Sequence, residues 1–132
     1  MKRRTFLAAT ASFALLPIAT KAATFVDYTP GAIQAALDAG KTVFVDYSAT
    51  WCGTCRRQER VINALRAKDP TYDGAMMFVK VDWDTYKNHE VTQSRGIPRR
   101  STLLVLRGED ELGRIVAGTS ESQIKALMDK AL

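Results

Sequence analysis

The sequence predicts an α/β fold, a small sandwich with a mixed central β-sheet and flanking helices. Two observations on the order of the segments support this prediction. Apolar runs of strand length alternate with segments of helical spacing. The chain then finishes with a hairpin and a helix. The length of 132 residues is that of one domain.

The N-terminal 23 residues have the layout of an export signal. A basic start is followed by an apolar run from Phe6 to Ala19 and then by small residues, and the run is shorter than the roughly 18 residues of a membrane helix. The adjacent pair Arg3-Arg4 favours the twin-arginine type, with an ordinary secretory signal as the alternative. We therefore expect residues 1–23 to be an export signal and residues 24–132 to form the folded domain, located in the periplasm.

The excess of positive charge belongs to that N-terminal segment. The chain has a formal net charge of +5, and the segment before Thr24 carries four lysines and arginines and no acidic residue. The domain itself is therefore nearly neutral, and the basic composition does not indicate nucleic-acid binding.

The first predicted helix and strand precede the two cysteines. Thr29 and Pro30 are an N-cap and a first-turn proline, so a helix is expected from there to Gly40. Its predicted buried face consists of Ile33, Ala36 and Leu37. The run TVFVDYS (42–48) is almost continuously apolar, which is typical of a strand covered on both faces.

A helix and a strand are predicted after the cysteines. The segment RRQERVINALRAK (56–68) has helical spacing and ends before Asp69-Pro70. Its predicted buried stripe is Val61, Ile62 and Leu65. The run AMMFVKVDW (75–83) predicts a second buried strand.

The last part of the chain predicts a helix, a hairpin and a helix. TYKNHEVTQSRG (85–96) is polar with helical spacing, and STLLVLRG (101–108) and ELGRIVAG (111–118) predict two strands joined by a turn. Ser120 and Gln123 form a capping box that predicts the start of the final helix. Its apolar positions are Ile124, Leu127, Met128 and Leu132.

Cys52 and Cys55, in WCGTC, are the only cysteines and lie where the first strong strand meets the second helix. A structural disulfide across two residues would constrain the unfolded chain little. Zinc requires about four ligands, and the chain has only His89 to add to these cysteines, although a two-cysteine copper(I) site remains open. Redox exchange is favoured, because a helix N-terminus stabilises a thiolate at Cys52 and Cys55 lies one turn further on.

The strand, the WCGTC motif, the helix and a later RGIP before another strand resemble the thioredoxin family over nearly all of residues 25–132. The resemblance implies the thioredoxin-like three-layer sandwich and a protein dithiol–disulfide oxidoreductase with Cys52 as nucleophile and Cys55 as resolving cysteine. Asp46, six residues before Cys52, matches a buried aspartate that transfers a proton to or from the resolving cysteine. Lys80 matches a lysine often found beside that aspartate.

The resemblance also implies a substrate-binding groove. In the family, a cis proline after an isoleucine lies against the active-site disulfide, and Pro98 after Ile97 is the matching position. A glycine before the last helix borders the same groove. The candidate substrate-binding residues are Trp51, Gly53, Thr54, Ile97, Pro98 and Gly118.

The chain departs from the family pattern between the cysteines, at Arg60 and after Pro98. Gly53-Thr54 replaces the Gly-Pro of cytoplasmic thioredoxins, and Arg99, Arg100 and Ser101 stand between Pro98 and a strand that in the family follows the proline at once. We hypothesise that these two arginines, with Arg56 and Arg57, crowd one rim of the site, where they would favour a Cys52 thiolate and acidic partners.

The predicted function is an exported thiol–disulfide oxidoreductase that acts as a reductase. The alternatives are a disulfide oxidase or isomerase and a non-enzymatic copper(I) thiol carrier. We expect no metal and no cofactor other than the redox-active disulfide Cys52–Cys55. The expected partners are cysteine-containing exported proteins and a membrane electron donor, and we expect a monomer that does not bind nucleic acid.

Overall fold

The computed structural model describes residues 24–132 and Ser12, so the predicted export signal lies almost entirely outside the described residues. The described part contains five strands and six helices. In chain order they are β1 (Val26–Asp27), α1 (Ala32–Asp38), β2 (Thr42–Ser48), α2 (Gly53–Lys68), α3 (Thr71–Ala75), β3 (Met77–Asp82), α4 (Trp83–Tyr86), α5 (Glu90–Gln93), β4 (Thr102–Arg107), β5 (Asp110–Val116) and α6 (Glu121–Asp129). Within these residues, every helix is too short or too polar to cross a membrane.

The five strands form one mixed sheet in the order β1-β3-β2-β4-β5. β1, β3 and β2 are parallel, whereas β4 runs antiparallel to β2 and pairs with β5 as a hairpin. Every residue of the central strand β2 is buried, as the continuous apolar run predicted, because a central strand with helices on both faces has no side that meets water.

Two apolar cores lie on the two faces of the sheet, which makes the molecule a three-layer sandwich. On one face, α1 and α5 pack against alternate residues of β2, including Val45 and Tyr47. On the other face, α2, α3 and α6 pack against Phe44 and Leu103. The predicted fold class is therefore confirmed.

The predicted helices form, with some shifted ends. α1 buries the three predicted residues but begins at Ala32, because Gly31 adopts a φ of 85° and the Ala32 N–H donates to the Thr29 carbonyl. α6 begins as the capping box predicted, with the Ser120 hydroxyl accepting from the Gln123 N–H at 3.4 Å.

The segment 85–96, predicted as one polar helix, contains only the end of α4 and the whole of α5, and Trp83, predicted as the end of a strand, begins α4 instead. The break lies at His89, whose Nδ1 accepts from the Val91 N–H and so starts α5 separately. β1 and α3 were not predicted, since two and five residues are too short to establish a period.

Candidate active site

Cys52 and Cys55 form a disulfide at the first turn of α2. Cys52 is the N-cap of this 16-residue helix, and its Sγ accepts a hydrogen bond from the Cys55 N–H at 3.2 Å. Both cysteines are buried, with Ala49 and Trp83 packed around them. A helix N-terminus offers unpaired N–H groups and a positive dipole end. The cysteines therefore lie where the sequence predicted, and a thiolate formed at Cys52 would be stabilised there.

Ser101 is the residue whose side chain contacts both sulfur atoms. Its Oγ lies 3.2 Å from the Sγ of Cys52 and 3.0 Å from the Sγ of Cys55. Ser101 is completely buried and has a φ of 63°, in the left-handed region that residues other than glycine rarely adopt. The sequence predicted Ser101 as the end of an insertion and the start of a strand, with no role at the site.

Three hydrogen bonds hold the backbone of Ser101 in this conformation. Its N–H donates to the Tyr47 carbonyl at 2.7 Å, and its carbonyl accepts from the Ala117 N–H at 2.9 Å. The carbonyl also accepts from Nε2 of Gln58 at 3.0 Å, and the same amide donates to the Gly118 carbonyl at 2.9 Å. Gln58, on α2, thereby ties the segment before β4 and the segment after β5 to the helix that carries the disulfide.

The structure contradicts the prediction of a cis Pro98 against the disulfide. All peptide bonds of the described residues are trans, and Pro98 is exposed. The reason is the segment 99–101, which turns back before β4, with the Thr102 hydroxyl donating to the Arg99 carbonyl. As a result Ser101, and not Pro98, directly precedes β4 and contacts the disulfide.

Of the other candidate groove residues, Ile97 differs from the expectation. Ile97 is buried in the core on the α1 face rather than in the small cluster around the disulfide. Gly118 is partly buried, and an added Cβ would come within 2.9 Å of Ile115 and Gln123, so this position admits only glycine without rearrangement. Gly53 is exposed and Thr54 is partly buried at the start of α2.

Asp46 is completely buried in β2, and neither of its carboxylate oxygens has a hydrogen-bond partner. It lies two residues after Phe44 and therefore on the same face of the strand, the face covered by α2. Burial raises the pKa of Asp46 from 3.8 to about 7, against the opposing charge of Lys80 and with a further contribution from Glu59. Such a group exchanges a proton near neutral pH.

Lys80 lies beside Asp46, as the resemblance implied, but its ammonium group pairs with Glu59. It lies opposite Asp46 in the β2–β3 register, but its Nζ donates to both carboxylate oxygens of Glu59 at 2.9 Å. Glu59 is on α2, and this half-buried pair lines a cleft of about 240 Å³ between α2 and the ends of β2 and β3. The charges of both residues act on the buried carboxyl of Asp46.

Trp51 is more than half exposed beside the disulfide, at 55% of its surface. Its Nε1 donates to the Asp84 carboxylate at 2.9 Å, and the guanidinium of Arg100 lies over its ring at 4.4 Å from the centroid. A cation held over an exposed indole in this way is a favourable arrangement. Trp51 thus keeps a defined orientation although it is exposed.

The predicted arginine rim forms in part. Arg100 lies on Trp51, and Arg56 donates to the Thr50 carbonyl, so both are held next to the cysteine motif. Arg99 instead donates to the Arg100 carbonyl, and Arg57 is exposed on α2. Within residues 24–132 no cluster of three or more histidine, cysteine, aspartate or glutamate side chains is close enough to hold a metal ion.

Comparisons with known proteins point to one family. The thioredoxin family model matches residues 25–130. Thioredoxin 1 of Nostoc sp. (strain PCC 7120) is 29% identical over 99 residues, which cover 75% of this chain and 88% of that protein, and thioredoxin-1 of Drosophila melanogaster is 31% identical over 98 residues, covering 74% and 84%.

Solved structures agree with the sequence comparisons. The Trxlp protein of Edwardsiella tarda EIB202 superimposes with a TM-score of 0.66 at 34% identity, covering 77% of this chain and 97% of that one. Thioredoxin NaTrxh of Nicotiana alata superimposes with a TM-score of 0.67 at 28% identity, covering 85% and 96%.

Proposed function

The chain belongs to the thioredoxin family and is a protein disulfide oxidoreductase, and we propose that it is an exported member that reduces disulfides of other exported proteins. The observation that supports this most directly is the disulfide at the N-terminus of α2, with Cys52 as the N-cap.

The proposed reaction is a pair of thiol–disulfide exchanges. The Cys52 thiolate attacks one sulfur of the substrate disulfide, which forms a mixed disulfide and releases the other substrate sulfur as a thiolate. The Cys55 thiolate then attacks the Sγ of Cys52, forms the Cys52–Cys55 disulfide and releases the second substrate thiolate. Two electrons pass from the cysteine pair to the substrate, and both substrate thiolates take protons from their surroundings.

In this proposal Asp46 accepts the proton that the Cys55 thiol must lose before it attacks. The raised pKa of Asp46 suits this role, because a base that titrates near neutral pH can both accept and return a proton. The Glu59–Lys80 pair borders the open cleft and offers a route by which that proton reaches water.

The direction of electron flow is the more specific part of the proposal. Gly53-Thr54 between the cysteines, with no histidine there, resembles the reductive rather than the oxidative members of the family. In an oxidising compartment such a protein must be re-reduced after each turnover. We therefore propose a membrane electron-transfer protein as donor and cysteine-containing exported proteins as acceptors.

The reduction potential of the cysteine pair tests the direction. Equilibrating the protein with glutathione and with dithiothreitol gives the potential, and for a two-electron couple about 30 mV is a tenfold change in equilibrium constant. A value near −270 mV, about that of thioredoxin, would support a reductase. A value of about −120 mV, as in a strong oxidant, would show that the protein makes disulfides instead.

Two cysteine variants test the roles of the sulfur atoms with insulin as a defined disulfide substrate. Cys55→Ser keeps the attacking thiol, so we expect it to accumulate a mixed disulfide with insulin on a non-reducing gel. Cys52→Ser is the matched control and should form none. Equal trapping by both variants would refute the assignment, and one copper(I) bound by the wild type without insulin reduction would favour the thiol carrier.

Export is proposed on the N-terminal sequence alone. A twin-arginine signal predicts that replacing Arg3 and Arg4 by lysine blocks export of the chain or of a reporter fused after residue 23. Export that is indifferent to these replacements but needs the apolar run would indicate an ordinary secretory signal. We also propose a monomer, which gel filtration of the purified protein tests.

A further inference from the structure

Ser101 places a hydroxyl group against both redox-active sulfur atoms. The two Oγ–Sγ distances, 3.2 Å to Cys52 and 3.0 Å to Cys55, are within hydrogen-bonding range for sulfur. Neither sulfur of a disulfide carries a hydrogen atom, so in the oxidised state the serine O–H is the donor. Ser101 is completely buried, so water does not compete for this proton.

The position of this hydroxyl is maintained at a conformational cost. A residue other than glycine adopts a left-handed conformation only at a cost in free energy. The hydrogen bonds from Ala117 and Gln58, and the one to Tyr47, keep the backbone there. Glycine would fit the φ of 63° without strain, so the backbone conformation alone does not account for a serine at this place.

We propose that Ser101 is a catalytic residue whose hydroxyl stabilises the thiolate of whichever cysteine is negatively charged during exchange. This inference rests on the proposed function, because it takes Cys52 as the attacking thiol and Cys55 as the resolving one. A thiolate is a much stronger acceptor than a disulfide sulfur, and hydrogen bonds to ionised acceptors are about twice as strong as neutral ones.

The two contacts serve the two directions of the reaction. In the reduced protein the hydroxyl donates to the Cys52 thiolate. When a donor thiolate attacks the Sγ of Cys52 to reduce the protein, the Cys52–Cys55 bond breaks and Cys55 leaves as a thiolate, to which the same hydroxyl then donates. One proton therefore serves two sulfur atoms in turn, and the hydroxyl needs only to rotate between them.

The hydroxyl favours the reduced, ionised state over the disulfide. Its removal should therefore raise the pKa of the Cys52 thiol and shift the equilibrium with glutathione towards the disulfide. Other charges on the surrounding elements stay unchanged when only Ser101 is replaced. The elements around the disulfide carry several titratable and charged groups, among them Asp46, Arg56, Glu59, Lys80, Asp82, Asp84 and Arg100.

The experiment compares Ser101→Ala and Ser101→Gly in the 132-residue chain. Both remove the hydroxyl, but glycine also relieves the left-handed strain whereas alanine keeps it. The thiolate of the reduced protein is followed by its absorbance at 240 nm against pH. The glutathione equilibrium is measured on the same preparations. Ser122→Ala makes the same chemical change at an exposed position on α6 and serves as the matched control.

We expect both Ser101 variants to lower the thiolate fraction at mildly acidic pH about tenfold and to shift the glutathione equilibrium about tenfold towards the disulfide, the size of one charge-assisted hydrogen bond. The control should match the wild type. A change of less than about twofold in both variants would overturn the proposal. An effect in alanine but not in glycine would also overturn it, by assigning the change to the backbone.

The result is separable from the proposed function. The thiolate titration requires no substrate, so it reports on Ser101 even if the wild type proves unable to reduce insulin. Conversely, insulin reduction by the wild type with unchanged titration in both variants would leave the oxidoreductase function standing and remove Ser101 from it.

Discussion

Replacing Asp46 by asparagine should remove a large pH dependence from the stability of the oxidised protein. The carboxyl is completely buried without a hydrogen-bond partner, and its pKa is raised from 3.8 to about 7. Between these two values the folded state binds more protons than the unfolded state. The free energy of unfolding therefore falls as the pH rises through this window, and the stability present below pH 4 is lost as the carboxyl ionises.

The size of the effect follows from the two pKa values. Between pH 5 and pH 8, ionisation of Asp46 should lower the free energy of unfolding by about 2.5 kcal/mol. An asparagine cannot ionise, so its own burial cost does not vary with pH. Wild-type protein should thus lose about 2.5 kcal/mol relative to Asp46→Asn over this range, and the variant should be the more stable of the two at pH 8.

Urea unfolding of the oxidised proteins at several pH values measures this difference. Oxidised protein is used because disulfide-bonded cysteines do not titrate. Asp27→Asn changes an exposed carboxyl of β1 and is the matched control, for which the difference from wild type should not vary between pH 5 and pH 8. A difference for Asp46→Asn that is constant within about 0.5 kcal/mol over the same range would refute a raised pKa at this carboxyl.

Substitutions at three further positions have expected outcomes. Lys80→Met removes the positive charge that lowers the pKa of Asp46, so the pH midpoint of the stability change should move above 7. An unchanged midpoint would argue against an electrostatic interaction between Lys80 on β3 and Asp46 on β2. Gln58→Ala loses the bonds to two backbone carbonyls and should lower the free energy of unfolding by about 3 kcal/mol in urea. Gln58→Met, which keeps the volume but not the bonds, should cost nearly as much, and a silent Gln58→Met would mean that volume alone matters. Arg66→Met loses the ion pair with Asp73 and the guanidinium group that lies 3.9 Å from the centroid of the Phe78 ring. We expect the free energy of unfolding to fall by about 1–2 kcal/mol. An unchanged free energy of unfolding would show that only the aliphatic part of the Arg66 side chain stabilises this site.

Much of the fold was predictable because its elements carry strong local signals. The run around Val43–Ser48 is apolar at nearly every position, and Asp46 stands out in it as the one charged residue, which the structure shows as a buried carboxyl. Ser120 with Gln123 specified the start of α6 through a local capping pattern. The position of the cysteine motif could be predicted from the strand before it and the helix after it.

The side chain that contacts the two sulfur atoms could not be predicted from a local pattern. Pro98 was expected there because of the family pattern, whereas the path of the next three residues decides which side chain meets the sulfur atoms. A buried serine has no signature in composition or periodicity. The one available signal was position, since Ser101 directly precedes the apolar run of β4, where the family has its proline. Lys80 likewise pairs with Glu59 because side-chain reach, not strand register, decides a salt bridge.

Both tryptophans of the chain lie beside the disulfide, Trp51 in the motif itself and Trp83 packed against the cysteines. We expect the disulfide sulfur to quench the emission of these indoles and the quenching to end when the bond is reduced. The protein therefore carries its own optical indicator, and its intrinsic fluorescence should brighten on reduction without any added dye. Rapid mixing with a donor or an acceptor can then follow each electron-transfer step in real time on unlabelled protein.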